Sequence, residues 1–201
     1  MSEKIGILMK GKSLEKLSLI SDKFDECFVV NWEGEAKKFR KDLAGKGVTY
    51  VSNWKCRFKN ENLGILNINR VFFPLTKNMS EEKLVNIFKQ CERHGMATID
   101  FLSDEHEYVP LRIRNTGVGC VFYVSLLKPK EIWIAGLDFY YGAYLLDQPY
   151  ANQFEYYTKE YNLIDSFVRI VKEHPDIQYN ILTYCKKLPK LDNLNILDMG
   201  E

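Results

Sequence analysis

The sequence lacks paired cysteines, a long apolar segment and an excess of charge. None of the five cysteines forms a CxxC pair, which argues against a zinc site or a disulfide framework and is typical of a reducing cytoplasm. Residues 1–13 lack the apolar core of a signal peptide, and no apolar run approaches the roughly 18 residues that span a bilayer. The formal net charge is +1 without a polybasic run, so no nucleic-acid partner is predicted. We therefore expect a cytoplasmic protein, with peripheral contact at the inner face of the membrane and a homo-oligomer left open.

Strand patterns and helix patterns alternate along all 201 residues, which predicts a single domain over 1–201. The strands are apolar throughout instead of strictly alternating, which is typical of a mostly parallel twisted sheet with helices on both faces, a Rossmann-like α/β fold. The tail at 186–201 is predicted to be irregular. The predicted strands are 4–9, 25–32, 47–54, 67–75, 96–102, 130–136 and 179–185, and the predicted helices are 13–20, 33–47, 80–95, 115–129 and 160–175.

Two helix starts carry serine. Ser80 is a plausible N-cap for helix 80–95, and Ser13 for helix 13–20. Helix 80–95 is the clearest amphipathic helix, with two acids in its first turn. Its predicted apolar stripe consists of Leu84, Ile87, Phe88 and Cys91.

Polar residues follow several predicted strands, and ligands of parallel sheets bind at that edge. Gly11 would let a ligand approach the backbone, and the helix that begins at Ser13 offers free N–H groups to an anion. Asn31 and Asn53 end two further strands and can both donate and accept hydrogen bonds. A turn glycine and two Asx turns are the alternative explanations.

The stretch "NTGVGCVFYVSLLKPKEIWIAGLDFYYGAY" concentrates the other candidates. Thr116 and Gly117 open a buried helix, where the helix dipole favours a phosphate or carboxylate, although glycine also serves tight packing. The strand that follows breaks at Gly136 and delivers Asp138, a candidate for a sugar hydroxyl or a turn cap. Tyr140 and Tyr144 could donate to phosphate oxygens, or could pack the loop onto the core.

Histidine offers one candidate for proton transfer. His106 follows a predicted strand and sits among acids in "SDEHEY", so it is a candidate general base. No two histidines have metal-ligand spacing, and no metal is predicted.

Two of these stretches resemble the motifs of glycosyltransferase family 42, the bacterial sialyltransferases. "GKSLEKLSLISDKFDECFVVNW" is similar to the first motif, in which a glycine and a Ser-Leu element follow strand one and an Asn ends strand two. "TGVGCVFYVSLLKPKEIWIAGLDFYY" resembles the second motif, in which a small residue plus glycine opens a buried helix and a later strand ends in Gly-x-Asp-Phe-Tyr. "YVSNW" also has an Asn where the family has one after strand three. The resemblance covers about half of the chain.

The resemblance implies a variant of the GT-A fold and a metal-independent, inverting transfer of an acidic sugar from a CMP-activated donor to a glycan acceptor. It implies no cofactor, since the nucleotide sugar is the substrate. Carried over to this sequence, the donor would meet Gly11 and Ser13 at the first loop and Thr116 with Gly117 at its carboxylate. Asn31 and Asn53 would lie beside the phosphate and sugar, Gly136 and Asp138 beside the cytidine, and Tyr140 and Tyr144 beside the leaving phosphate.

The sequence departs from the family at two places. Lys10 and Lys12 replace an Asn and a Pro at the first loop. The segment at about 145–160 predicts a reduced or missing lid, and it lacks the histidine that the family uses as its base, so His106, Asp104 or Glu105 would have to take the proton. Two other readings stay open: a pyrophosphokinase-like phosphotransferase on the same scaffold, and a non-catalytic nucleotide- or glycan-binding remnant.

Overall fold

A computed structural model describes residues 2–32, 35–52, 60–73, 80–101, 115–139, 163–197 and 199. These residues form one sheet of eight parallel strands in the order β5-β4-β3-β2-β1-β6-β7-β8. The strands are β1 Lys4–Leu8, β2 Glu26–Val30, β3 Gly47–Val51, β4 Arg70–Phe73, β5 Thr98–Phe101, β6 Glu131–Ala135, β7 Gln178–Leu182 and β8 Leu194–Leu197. The α-helices are α1 Glu35–Phe39, α2 Asn60–Ile65, α3 Glu81–Arg93, α4 Thr116–Leu126 and α5 Leu163–Glu173, and two 3-10 helices span Lys12–Leu19 and Ser21–Lys23.

The chain changes direction across the sheet between β1 and β6. From β1 it runs strand by strand to β5 at one edge, then returns to the other side of β1 for β6, β7 and β8. The two strands pair in parallel from Lys4–Glu131 to Leu8–Ala135. The connection after β1 leads to β2, and the connection after β6 leads to β7 on the opposite side. The carboxyl ends of β1 and β6 are therefore the topological switch point, where sheets of this kind bind ligands.

Apolar side chains cover the sheet on both faces. Because neighbouring residues of a strand point to opposite faces, Ile5 and Ile7 of β1 pack in one cluster while Leu8 packs in another. The first cluster includes α4 and α5, and the second includes α1 and α3 together with the 3-10 helix that follows β1. This arrangement confirms the predicted α/β fold with helices on both faces.

Two local predictions about helices are wrong. Ser13 does not cap a helix, because the segment Lys12–Leu19 is a 3-10 helix with Gly11 at its N-cap position and no side-chain cap. Phe88 was expected in the buried stripe of α3 but is 47% exposed, whereas Ile87 and Cys91 are buried. Phe88 instead lines an open surface groove with Met96 and with Ile99 of β5, which is the last strand on that side of the sheet. The N-cap at Ser80 is confirmed, since its side chain accepts from the Lys83 N–H at 3.4 Å.

The sequence also left two elements unpredicted. Residues 194–197 form β8, which pairs in parallel with β7, although the tail was expected to be irregular. The short helix α2 was missed as well. Among the helices that the structure describes, none has the length and apolar character needed to cross a bilayer.

Candidate functional site

The loops after β1 and β6 are joined directly through their backbones. The Met9 N–H donates to the Ala135 carbonyl at 2.8 Å, and the Gly11 N–H donates to the Gly136 carbonyl at 2.9 Å. Gly136 has φ +78°, a left-handed conformation that glycine adopts without strain, and a Cβ there would collide with the Met9 carbonyl. A Cβ at Gly11 would collide with the Gly136 carbonyl and the Asp138 carboxylate. Both glycines are therefore required by the close approach of the two loops.

The carboxylate of Asp138 connects three strand ends. Its Oδ2 accepts from the Ser13 N–H at 2.9 Å, and its Oδ1 accepts from the Tyr184 N–H at 3.0 Å. The Ser13 hydroxyl in turn accepts from the Gly136 N–H at 2.9 Å. Asp138 is only 4% exposed, so these bonds are formed largely out of water. The result is one hydrogen-bond network that ties the loops after β1, β6 and β7 together.

Burial raises the pKa of the Asp138 carboxyl above its ordinary value of 3.8, because removal from water disfavours the charged form. Hydrogen bonding by Ser13 and Tyr184 favours the charged form and lowers the pKa, but burial is the larger effect. Each carboxylate oxygen has more than one lone-pair site. The carboxylate can therefore hold the loops in place and still accept a hydrogen bond from a ligand hydroxyl.

The loop after β7 adds a cluster that the sequence did not predict, formed by Lys12, Glu15 and Tyr184 and called the rim cluster below. The Tyr184 hydroxyl donates to Glu15 Oε1 at 2.8 Å, and Lys12 Nζ lies 5.6 Å from the centre of the tyrosine ring. Tyr184 is 36% exposed. Behind it, the Thr183 hydroxyl donates to the Leu137 carbonyl at 2.9 Å, which fixes the β7 loop to the β6 loop.

The start of α4 also reaches the switch point. The Asn115 side chain caps the helix by accepting from the Val118 N–H at 3.0 Å, and Thr116 is the first helical residue. A Cβ at Gly117 would meet the sulfur of Met9, so the helix start lies against the end of β1. Backbone N–H groups at the start of this 11-residue helix can hold a phosphate or a carboxylate.

Asn31 lies at the same edge of the sheet, one strand further along. It follows β2 in the left-handed conformation, with φ +54°, which Asn tolerates better than most residues. Its N–H donates to the Val51 carbonyl at 2.8 Å. Nearby, the buried Tyr50 hydroxyl donates to the Trp32 carbonyl at 2.8 Å and holds the loop after β2.

The structure thus brings Gly11, Ser13, Gly136 and Asp138 into direct contact, joins Thr116 and Gly117 to them through Met9, and places Asn31 at the same edge. Asn53, His106, Tyr140 and Tyr144 lie outside the described residues. Within the described ranges, no group of three or more His, Cys, Asp or Glu side chains is arranged to hold a metal ion.

The described cysteines do not extend the site. Cys27, Cys91, Cys120 and Cys185 are buried and form no disulfide with one another. Burial raises the pKa of Cys27 to about 12 and that of Cys91 to about 11, so both stay protonated at neutral pH and are poor nucleophiles.

The fold is similar to that of several solved sialyltransferases. CstII from Campylobacter jejuni, solved with cytidine 5'-monophosphate, aligns with a TM-score of 0.59 and 18% identity over 98% of this chain and 85% of its own. The α-2,3-sialyltransferase Cst-I from Campylobacter jejuni aligns with a TM-score of 0.58 and 16% identity over 98% and 81%. CstII with a trisaccharide acceptor and CMP aligns with a TM-score of 0.57 and 17% identity over 96% and 85%.

Sequence comparison adds no relative to these, since no protein-family model and no curated protein matches the chain. At such low sequence identity, the structural similarity shows that the fold is shared and shows nothing more. The resemblance that the two motifs predicted is confirmed at that level: over nearly its whole length, the chain has the fold of the Campylobacter sialyltransferases of glycosyltransferase family 42.

Proposed function

We propose that this protein is a sialyltransferase-like glycosyltransferase, which moves an acidic sugar from a CMP-activated donor to a glycan acceptor without a metal and with inversion. The observation that carries the proposal is the network at the switch point, where Gly11, Ser13, Gly136 and Asp138 meet. These are residues that the family motifs assign to the donor. The motifs predict them without any information on their contacts.

The fold supports the same proposal. CstII has been solved with CMP, with the donor analogue CMP-3FNeuAc, and with a trisaccharide acceptor. Sheets of this kind bind their ligands at the switch point, where a nucleotide phosphate can lie against backbone N–H groups.

The donor would lie along the edge of the sheet. The start of α4 at Thr116 and Gly117 would hold the sugar carboxylate through backbone N–H groups and the threonine hydroxyl. Asn31, with Asn53, would lie beside the phosphate and the sugar. Asp138 would accept a hydrogen bond from the cytidine ribose with the lone pairs that Ser13 and Tyr184 leave open.

In the transfer step, an acceptor oxygen would form a bond to the anomeric carbon while the bond from that carbon to the phosphate oxygen breaks. The electron pair of the broken bond leaves with CMP, and the acceptor proton goes to a base, for which His106 is our candidate. Tyr140 and Tyr144 would donate hydrogen bonds to the phosphate as charge develops on it, which lowers the barrier. Attack from the side opposite to the phosphate inverts the anomeric centre.

A thermal-shift comparison followed by a turnover assay tests the proposal. CMP should raise the melting temperature without added metal, since a ligand at about 100 times its dissociation constant adds about 2.7 kcal/mol to the free energy of unfolding. Incubation with CMP-sialic acid and a panel of glycan acceptors should then release CMP. A shift by ATP with magnesium but none by CMP would favour the phosphotransferase, and CMP binding without any release from the donor would favour a non-catalytic binding protein.

A further inference from the structure

The rim cluster lies next to the proposed nucleotide site, and the family motifs assign no role to Glu15 or Tyr184. Tyr184 is connected to the site through its backbone N–H, which donates to Asp138, while its side chain extends to the surface. The hydroxyl is held by the Glu15 carboxylate at 2.8 Å, so the orientation of the ring is fixed from both ends of the residue. A partly exposed aromatic ring that is held in place beside a ligand crevice presents a flat surface for a second flat group.

The order of the strands indicates which part of a nucleotide sugar would reach this ring. Neighbouring strands are about 4.8 Å apart, so the ends of β2 and β7, with β1 and β6 between them, are separated by about 14 Å. If the sugar lies over the end of β2 at Asn31 and the ribose lies over the end of β6 at Asp138, the base extends toward the end of β7. Tyr184 is the second residue after that strand.

We propose that the rim cluster of Lys12, Glu15 and Tyr184 forms the nucleobase end of the site, and that it selects cytosine over uracil; this rests on the proposed function. The base stacks on the Tyr184 ring. Lys12 is exposed, and its ammonium lies 5.6 Å from the ring centre, near the outer limit of a cation–π contact. The lysine side chain can therefore move aside when the base stacks on the ring.

The charges of the cluster account for the choice of base. Cytosine carries an amino group at the position where uracil carries a carbonyl oxygen, and a carboxylate accepts from the amino group but repels the oxygen. Glu15 supplies that carboxylate at the edge of the ring. The Lys12 ammonium is a donor for the O2 carbonyl, which both pyrimidines carry, so it adds affinity without discrimination.

Titration calorimetry of the full chain with CMP, UMP and ribose 5-phosphate tests the proposal. The wild type should bind CMP at least about 10-fold more tightly than UMP, since one well-placed base contact discriminates strongly. Glu15→Gln should reduce that ratio to about 3-fold or less, because an amide can donate to uracil as readily as it accepts from cytosine. Tyr184→Leu should weaken CMP and UMP by about 10-fold and leave ribose 5-phosphate unchanged, because only the stacked base is lost. Tyr184→Phe keeps the ring and should lose less.

Matched controls lie at the other side of the sheet. Phe88→Leu removes an aromatic ring from a residue that is 47% exposed, against 36% for Tyr184, and Glu92→Gln removes an exposed carboxylate. Both residues lie on α3, and neither change should alter any of the three affinities. If CMP binds but Glu15→Gln and Tyr184→Leu leave the affinities for CMP and UMP unchanged, the base site is elsewhere and the inference is wrong while the proposed function stands. If the wild type binds neither nucleotide, the proposed function fails and the inference fails with it.

Discussion

The two ends of the same pair of strands, β1 and β6, are built in opposite ways. At the amino ends, exposed ion pairs join the strands and their approaches: Lys4 with Glu131 at 3.0 Å, and Lys130 with Glu3 at 2.6 Å. At the carboxyl ends, a buried carboxylate accepts two backbone N–H groups, and the loops are in backbone contact. Water can replace the partners of an exposed ion pair, so its loss costs little. Water does not reach a buried hydrogen bond, so the loss of one partner leaves the other unsatisfied.

This difference shows where the chain concentrates its buried polar groups. Most of the buried polar residues that the structure describes lie at the end of the sheet where a ligand of such a sheet binds, among them Ser13, Ser52, Asp138 and Thr183, whereas Thr49, Ser125 and Asn180 lie elsewhere. We therefore expect substitutions at the carboxyl ends of β1 and β6 to change both the stability and the proposed function. Substitutions at the amino ends should leave the proposed function unchanged.

The largest effect is expected for Asp138→Ala. The change leaves the N–H group of Ser13, in a buried bond, and that of Tyr184, in a partly buried bond, without an acceptor. Each such loss costs about 1–3 kcal/mol, so the free energy of unfolding should fall by about 4 kcal/mol. Lys4→Gln, which breaks the exposed pair at the other end of the strands, should cost less than about 1 kcal/mol. Urea unfolding of both variants gives the comparison. Equal losses would show that the two ends do not differ as described.

Gly136→Ala should follow, and Gly45→Ala is its matched control. Both glycines have φ +78°, so an alanine at either position is strained by about 1–2 kcal/mol. At Gly136 the new methyl group would also collide with the Met9 carbonyl, whereas at Gly45 no atom lies within 4 Å. We expect a loss of about 3 kcal/mol at Gly136 and about 1 kcal/mol at Gly45, measured by thermal unfolding. A loss at Gly136 no larger than at Gly45 would mean that the two loops can separate without cost.

Ser13→Ala should cost less, about 1–2 kcal/mol, because it removes the hydroxyl that accepts from the Gly136 N–H but leaves the Ser13 N–H to Asp138 in place. Ser18→Ala alters an exposed residue of the same 3-10 helix and should change stability by less than about 0.5 kcal/mol. Unfolding in urea distinguishes the two. A Ser13→Ala variant as stable as the wild type would remove the hydroxyl from the network.

The smallest effect is the pH dependence of Asp138. Because burial raises its pKa in the folded state, the folded protein binds a proton that the unfolded chain has already released. The contribution of Asp138 to stability is therefore full below pH 3.8 and decreases as the pH rises from there through the raised pKa of the folded state. The stability of the wild type relative to Asp138→Asn should fall over that window and then level off. A relative stability that rises with pH would mean that the hydrogen bonds outweigh burial.

The sequence predicts the place of a residue in the fold where that place depends only on its neighbours in the chain. Gly136 and Asp138 follow an apolar strand that is easily recognised, so these two members of the switch-point network can be named from the sequence, whereas Tyr184 and the bonds cannot. The bonds could not be predicted because Asp138 meets residues 125 and 46 positions away in the chain. Ser13 shows the limit clearly, since a helix cap was a sound local expectation but its hydroxyl is used by Gly136 instead.

Element boundaries account for much of the rest. The apolar pattern predicts a last core strand to 185, but the strand ends at Leu182, so Tyr184 follows the strand and lies at the candidate site. The strand β8 was missed because its four residues lie at the edge of the sheet, where two of them are exposed, and follow a stretch with Pro189, Asp192 and Asn193.

The most direct test of the central claim is a titration of the labelled protein with CMP, followed by the backbone amide signals in NMR spectra. We expect the largest shifts at Gly11, Ser13 and Gly136, at the carboxyl ends of β1 and β6, and almost none at the amides of Lys4 and Glu131 at the opposite ends. Shifts that cluster at the amino ends or around α3, or no shifts at saturating CMP, would contradict it.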